Sequence, residues 1–216
     1  MTSEQQATSA AEYWENRYRR LEDKWSENPN VALVKEVSGL APGTALDLGC
    51  GQGGDAIWLA EQGWQVTAVD ISAVALERGA GQASALGISE RITWEAHDLG
   101  QSFPSGSFDL VSSHYLHSPF GLPRAEILRA GAMAVNPGGT LLIVGHAGPA
   151  PWQTLPPEIH LPSPEELLES LRLPAAEWEV LAMYTFDREH TAPNGEPSTR
   201  PDNVLKMRRV ATPGVS

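Results

Sequence analysis

The chain holds a single cysteine in 216 residues. Cys50 therefore has no intramolecular disulfide partner, and a cysteine-rich zinc site is excluded. Long apolar runs are missing as well. No stretch approaches the roughly 20 residues that a helix needs to cross a bilayer. The opening MTSEQQATSA lacks the basic start and apolar core of a secretory signal, so the cytoplasm is the expected location. Positive charge is scarce: 15 Lys and Arg face 27 Asp and Glu, for a formal net charge of −12. That field repels phosphate backbones and disfavours a nucleic-acid partner. The densest basic groups, Arg17, Arg19 and Arg20 and then Lys206, Arg208 and Arg209, read as solvated faces. There is no internal repeat and no linker long enough to divide domains.

What is present is an ordinary globular balance, with 41% hydrophobic and 19% charged residues. Residues 1–9 read as a disordered tail and 10–216 as one domain. Residues 10–25 form a helix with an aromatic stripe that includes Trp14, Tyr18 and Trp25. A second helix follows Asn28-Pro29-Asn30, with Val31, Val34 and Val37 on one face, so that 10–40 is an N-terminal helical segment. From 44 to 145, strands and helices alternate. Strands are expected at Thr44–Leu48, Gln65–Val69, Ile92–Ala96, Phe108–Ser112 and Thr140–Val144. Helices are expected at 55–62, 72–86 and 123–135, the last closed by Asn136-Pro137-Gly138-Gly139. Ser72 is a good N-cap and Gly87 a good stop, while Gly79 and Gly81 weaken the helix between them. After 146 the rhythm changes. A proline-rich segment and a short helix at 164–171 precede two strands, 179–186 and 203–210. The polar stretch 187–202 reads as their loop and holds Asn194-Gly195. The fold class is α/β: a doubly wound, Rossmann-like, mostly parallel seven-stranded sheet with a C-terminal antiparallel hairpin and N-terminal lid helices. Ligands of such sheets bind at the carboxyl ends of the strands, near the switch point.

Residues 47–53, Asp-Leu-Gly-Cys-Gly-Gln-Gly, leave the first strand and enter a helix. Glycines at 49, 51 and 53 permit a tight turn and let a ligand lie against the backbone. Asp70 ends the next strand, where a carboxylate can accept both ribose hydroxyls of a nucleoside. Such glycines also suit a dinucleotide loop. Asp47, just before the turn, opposes an anionic pyrophosphate and suits a ligand carrying ammonium and sulfonium groups. Asp55, in the first helical turn, opposes the pyrophosphate equally and complements the helix dipole.

LDLGCGQGGDA resembles the first motif of class I S-adenosylmethionine-dependent methyltransferases, and VTAVDIS their second. His97-Asp98-Leu99, FDLVSSHYLH and NPGGTLLIV resemble three further motifs, in order and at the right spacing. YWENRY with Asn28-Pro29-Asn30 is similar to small bacterial tellurite-resistance and thiopurine-type methyltransferases. That similarity fades after about residue 122. The resemblance implies S-adenosyl-L-methionine as cofactor, S-adenosyl-L-homocysteine as product and a small-molecule acceptor. It implies a cofactor site of Asp47, Gly49, Cys50, Gly51, Asp70, Ile71, Asp98, Leu99 and Ser113. Asp98 would accept from the adenine amino group, and Leu99 and Ile71 would pack on the ring. Trp14 and Tyr18 would cover the cofactor as a lid, or simply pack their helix on the sheet.

His114, Tyr115 and His117 follow the fourth strand, beside the expected position of the transferred methyl. His117 and His114 are the candidate general bases for a hydroxyl, amine or thiol acceptor; orientation or packing is the alternative for each. Cys50 needs only to be small. No metal site is expected, although His-x-x-His with His146 or His160 invites the idea. Arg188 and His190 lie near the same rim. Two other readings stand: a nicotinamide-dependent oxidoreductase, and a non-catalytic protein that binds S-adenosylmethionine. The sequence leaves the acceptor and the oligomeric state open.

Overall fold

The computed structural model describes residues 8–20, 28–154 and 160–211. Of the expected N-terminal tail, residues 1–7 lie outside these, whereas both Thr8 and Ser9 hydrogen-bond Glu12. Trp25 also lies outside them. In chain order the elements are α1 (Ala10–Arg20), α2 (Val31–Val37), β1 (Thr44–Leu48), α3 (Gly54–Glu61), β2 (Gln65–Asp70), α4 (Ala73–Ala85) and β3 (Ile92–Ala96). There follow β4 (Phe108–His114), α5 (Arg124–Met133), β5 (Val135–His146), α6 (Pro164–Leu171), β6 (Trp178–Thr191) and β7 (Pro197–Arg209). The seven strands form one sheet in the order β3-β2-β1-β4-β5-β7-β6. The first five are parallel, and β7 runs antiparallel to both β5 and β6. The order reverses between β1 and β4, so the crevice expected of such a sheet opens at their carboxyl ends.

Helices cover both faces, which is why the central strands read as unbroken apolar runs. Alternate residues of one strand serve opposite cores. Leu142 and Val144 join the cluster beneath α2 and α3, while Leu141 and Ile143 join the cluster beneath α5 and α6. Among the described residues, no helix is long and apolar enough to cross a membrane.

Four local expectations are corrected. In α2 the buried face is Ala32, Leu33 and Val37, whereas Val31 is 57% exposed. The helix begins one residue after Asn30, which turns Val31 outward. The Asn136–Gly139 turn is real but sits inside a strand: β5 starts at Val135, opposite Phe108, and the register slips before Leu110 pairs with Thr140. Asn136 Nδ2 donates to Asp109 at 2.9 Å and holds this bulge. The stretch 187–202 is not a loop. Both hairpin strands continue through it, and only the tip around Asn194-Gly195 turns. Burial alternates along β6 between exposed and half-buried. A two-stranded ribbon needs no more apolar content than that, so polarity alone hides it. The C-terminal basic group is not simply solvated either. Lys206 donates to Glu36 O, and Arg209 to Val135 O at 2.8 Å, each tying β7 to another element.

Two glycines in α4 separate cleanly. Trp94, on β3, lays its indole against both Gly53 and Gly79. A Cβ on Gly79 would stand 2.6 Å from that ring and 2.8 Å from Gln52 O, while one on Gly81 would meet nothing within 4 Å. Ala in place of Gly gains about 1 kcal/mol of helix propensity, but overpacking costs about 1–3 kcal/mol. Gly81→Ala is therefore expected to stabilise the protein by about 0.5–1 kcal/mol. Gly79→Ala should destabilise it by about 1–2 kcal/mol. Urea unfolding of the two variants checks the opposite signs.

Candidate active site

The turn after β1 is pinned from β2. Gly49 and Cys50 both donate their amides to Val69 O at 2.9 Å. Asp70 accepts from Gly51 N and from Ser72 N, each at 2.9 Å. These bonds hold Gly49, Gly51 and Gly53 at positive φ, a region that side-chain-bearing residues rarely adopt. Gly51 is closed to a side chain for a second reason, since a Cβ there would lie 2.8 Å from Tyr18 Oη.

Around this turn lies a cavity of about 230 Å³. It is lined by Asp47, Gly49, Cys50, Gly51, Asp70 and Ile71 from β1, β2 and their turns, and by Asp98 and Leu99 after β3. His114, Tyr115 and His117 line its far wall, and Trp14 and Tyr18 of α1 close over it. Every site residue expected from sequence reaches this cavity except Ser113. That residue is buried in β4, paired with Leu48 and Ile143, and serves the sheet. Helix α1 is latched down by Glu15, which accepts from Ser72 Oγ at 2.7 Å and lies 3.4 Å from Val74 N. Ser72 is the N-cap of α4, so the latch places a carboxylate at the positive end of a helix.

The electrostatics sort the acids by role. Asp47 is buried, and its Oδ2 has no hydrogen-bond partner. Burial, then Asp55, pushes its pKa up to about 7 against the relief offered by His114. Asp55 is buried too, yet it accepts from Asn30 N at 2.6 Å and Asn30 Nδ2 at 2.8 Å. It also lies 3.1 Å from His114 Nδ1, an ion-pair distance without hydrogen-bond alignment. Burial works against ionisation of Asp55, but His114 and Asn30 outweigh it and hold its pKa below the usual range. The converse applies to His114: burial disfavours its charge, and Asp55 and Asp47 hold the pKa above the ordinary value. His114 is thus the counter-ion of an acid pair. Asp55, read from sequence as a helix-dipole residue, in fact ties α3 to the residue before α2.

His117 stands in the opposite situation. Burial, then Arg124, His146 and Arg200, push its pKa down to about 4, and its Nε2 has no partner. It is a neutral imidazole facing the cavity. Burial and the carboxylates around it raise the Cys50 thiol well above its usual range, which removes it as a nucleophile. Arg188 is turned inward to Asp202, and His190 packs edge-on against Trp152. His146 also bonds Asp202, and His160 bonds Glu166. Among the described residues, no three His, Cys, Asp or Glu side chains gather as metal ligands would.

The arrangement fits S-adenosylmethionine on two observations. Asp47 presents a buried carboxylate oxygen with no partner, as an ammonium or sulfonium requires. The glycine turn leaves its backbone open toward Asp70, whose two oxygens each already hold one amide and keep a lone pair for a hydroxyl. Comparison with known proteins agrees. Residues 45–139 match the family described as "Methyltransferase domain". Over that stretch, somewhat under half of the chain, the sequence is that of a methyltransferase domain. A rice protein (Oryza sativa subsp. japonica) named "Probable tocopherol O-methyltransferase, chloroplastic" is 30% identical over 142 residues, covering 64% of this chain and 38% of that protein. An Arabidopsis thaliana protein named "Probable thiol methyltransferase 2" is 29% identical over 134 residues, covering 60% of this chain and 59% of that one. The chain therefore spans less than two thirds of the length of either relative. The crystal structure of TehB from Haemophilus influenzae superposes with a TM-score of 0.68 at 21% identity, covering 94% of this chain and 67% of that one; at that identity it shows the shared fold.

Asp47 gives the ligand-free protein a signed pH dependence. Its folded pKa, about 7, lies above the ordinary 3.8. A raised folded pKa contributes stability that is fully present below the unfolded value and is lost as pH rises through the folded one. Thermal unfolding of the ligand-free protein should therefore show a falling midpoint between about pH 4 and 7. Asp47→Asn should make that decline shallower and raise the midpoint at the alkaline end. An unchanged slope in the variant would place the titration elsewhere.

Proposed function

We propose that this protein transfers a methyl group from S-adenosylmethionine to the sulfur of a small thiol. The observation that carries the acceptor class is His117, the cavity imidazole beside the expected methyl, which has no hydrogen-bond partner on Nε2 and is not poised as a strong base. His114 lies 3.1 Å from Asp55, which together with Asp47 holds its pKa above the ordinary value, and His117 is held neutral with a pKa of about 4. A general base works best with a pKa near the operating pH, so His117 is poorly matched to a phenol or an ammonium. A thiol ionises near pH 8.5 without help and, as a soft nucleophile, needs only to be held in line. The names of the two relatives divide, oxygen-directed in rice and sulfur-directed in Arabidopsis, so the reading rests on the cavity.

In this reading Asp70 accepts the ribose hydroxyls, and Asp98, Leu99 and Ile71 surround the adenine. Asp47 faces the ammonium, next to Gly49 and Gly51. The cofactor, when bound, supplies a methyl on a positively charged sulfur that is already a good leaving group. The protein's own contribution is position and exclusion of water: Trp14 and Tyr18 close the cavity from above, and His117 offers Nε2 as a hydrogen-bonding partner to the incoming acceptor. Holding the reacting atoms about 3 Å apart and in line accounts for much of the acceleration available to such a reaction. Aromatic faces near a cation add on the order of 1–2 kcal/mol where water is excluded. The net charge of −12 favours a small acceptor over nucleic acid.

Four outcomes are expected. Isothermal titration should show tight binding of S-adenosylhomocysteine and none of NADH, and Asp70→Ala should lower the affinity by about 100-fold or more. Because burial raises the Asp47 pKa to about 7, that binding should release protons near neutral pH. This appears as a dependence of the observed heat on buffer ionisation enthalpy, lost in Asp47→Asn. Turnover assays with thiols, phenols and amines should yield S-adenosylhomocysteine with thiols; methylation of amines or phenols alone would overturn the acceptor class. His117→Ala should slow turnover by about tenfold with cofactor affinity unchanged.

A further inference from the structure

A fourth buried carboxylate stands behind the far wall of the cavity. Asp202 is fully buried on β7. It pairs in register with His146, the last residue of β5, and with Phe186 of β6. Its Oδ2 accepts from Tyr115 Oη at 2.7 Å and from Arg188 Nε at 2.5 Å. Its Oδ1 lies 2.8 Å from His146 Nδ1. Burial disfavours its charge, but these donors outweigh burial and keep the carboxyl below its usual range. An ionised carboxylate can only accept, so His146 carries its proton on Nδ1.

Three rings stack on this anchor. Tyr115 and His146 lie 4.5 Å apart at 29°, and His146 and His117 lie 5.3 Å apart at 19°. The Arg188 guanidinium lies over the Tyr115 ring, 5.3 Å from its centroid. Tyr115 also has a φ of 50°, a left-handed backbone uncommon for a residue with a side chain. Such strain persists where the surroundings over-determine it. Here the Oη bond to Asp202, the backbone bond from Tyr115 N to Val144 O at 2.9 Å and the stacked imidazole do so.

We propose that Asp202 is a positioning residue for the acceptor: through Tyr115 and His146 it sets the ring column that fixes His117 against the cavity. The step from ring position to catalysis rests on the reading that His117 meets the acceptor. The position itself does not, so the test has two arms.

In the first arm, histidine ring resonances are followed by nuclear magnetic resonance in the wild type and in Asp202→Asn, without ligand. The His146 nitrogens should move because the carboxylate partner is gone. The His117 ring should move with them because it senses the stacked face of His146. His97, bonded to Ser102 and Glu95, should stay put. Movement of His146 without His117 overturns the proposal. Should Asp202→Asn disturb all histidines or fail to fold, Tyr115→Phe decides: it keeps the ring and loses only the Oη bond, and an unmoved His117 there overturns the proposal as well.

In the second arm, turnover of thiophenol is measured in Asp202→Asn. The expected result is a fall in kcat/KM of about tenfold or more, with S-adenosylhomocysteine affinity within about twofold of wild type. Unchanged kcat/KM beside a displaced His117 ring would overturn the acceptor role of the column. If the wild type leaves thiophenol unmethylated, the thiol reading falls and the resonance arm still decides the role of Asp202.

Discussion

A carboxylate at the end of β2 that grips the backbone of the neighbouring turn is the constraint on which the site depends. Asp70 accepts from Gly51 N and Ser72 N, and so fixes the exit of β1 and the entry of α4 with one side chain. The bond to Gly51 holds a backbone conformation that only glycine adopts cheaply, and that conformation sends the chain into α3. The bond to Ser72 sets the N-cap from which Glu15 draws α1 down over the cavity. The glycine turn, the helix start and the cover therefore share one anchor. Burial raises the pKa of Asp70 while its backbone amides oppose the rise.

The two ends of the cavity carry opposite electrostatics. At the glycine turn, Asp47, Asp55 and Asp70 are all buried, balanced on the protein side by His114. A ligand with ammonium and sulfonium groups relieves that excess of negative charge, and Asp47, the acid left without a hydrogen-bond partner on Oδ2, is where relief is needed. At the far wall Arg124, Arg188 and Arg200 surround two neutral imidazoles and a single acid, Asp202. A positive neighbourhood favours the ionised form of a thiol and disfavours an ammonium. Under the proposed reading this division gives donor and acceptor fields suited to their charges.

The cofactor half was legible in the sequence because its parts are local. A strand, a glycine turn and a helix N-terminus lie within some ten residues, and Asp70 follows at the end of the next strand. Boundaries there agree within a residue or two. Legibility ended where pairing is non-local or where polarity mimics a loop. The ribbon 187–202 alternates half-buried and exposed residues too polar to announce a strand. Asn136-Pro137-Gly138-Gly139 looked like a terminator but works as a bulge, because Asp109 catches Asn136 from the adjacent strand. Ser113 was assigned with the motif around it, yet its side of β4 faces the sheet core. The roles of His114 and His117 could not be ordered from spacing, since both follow the same strand. Their neighbours, Asp55 for one and Arg124 and Arg200 for the other, come from distant segments and set opposite charge preferences.

That difference in locality bears on how such a protein takes on an acceptor. Tyr115 and Asp202 are 87 residues apart and meet only because β7 pairs antiparallel with β5 in the register that sets Asp202 opposite His146. A slip of one residue would turn Asp202 to the other face of the sheet and strip Tyr115, His146 and Arg188 of their common acceptor. The glycine turn would be untouched, because it is built from β1, β2 and the chain between them. The hairpin can therefore change its side chains, length or register and recast the acceptor wall while the donor site persists. Its cost is confined to the buried hub, where a charge deprived of its partners is expensive. Under the proposed reading the ring column behind the acceptor depends on hairpin register, whereas the glycine turn depends only on β1, β2 and the chain between them.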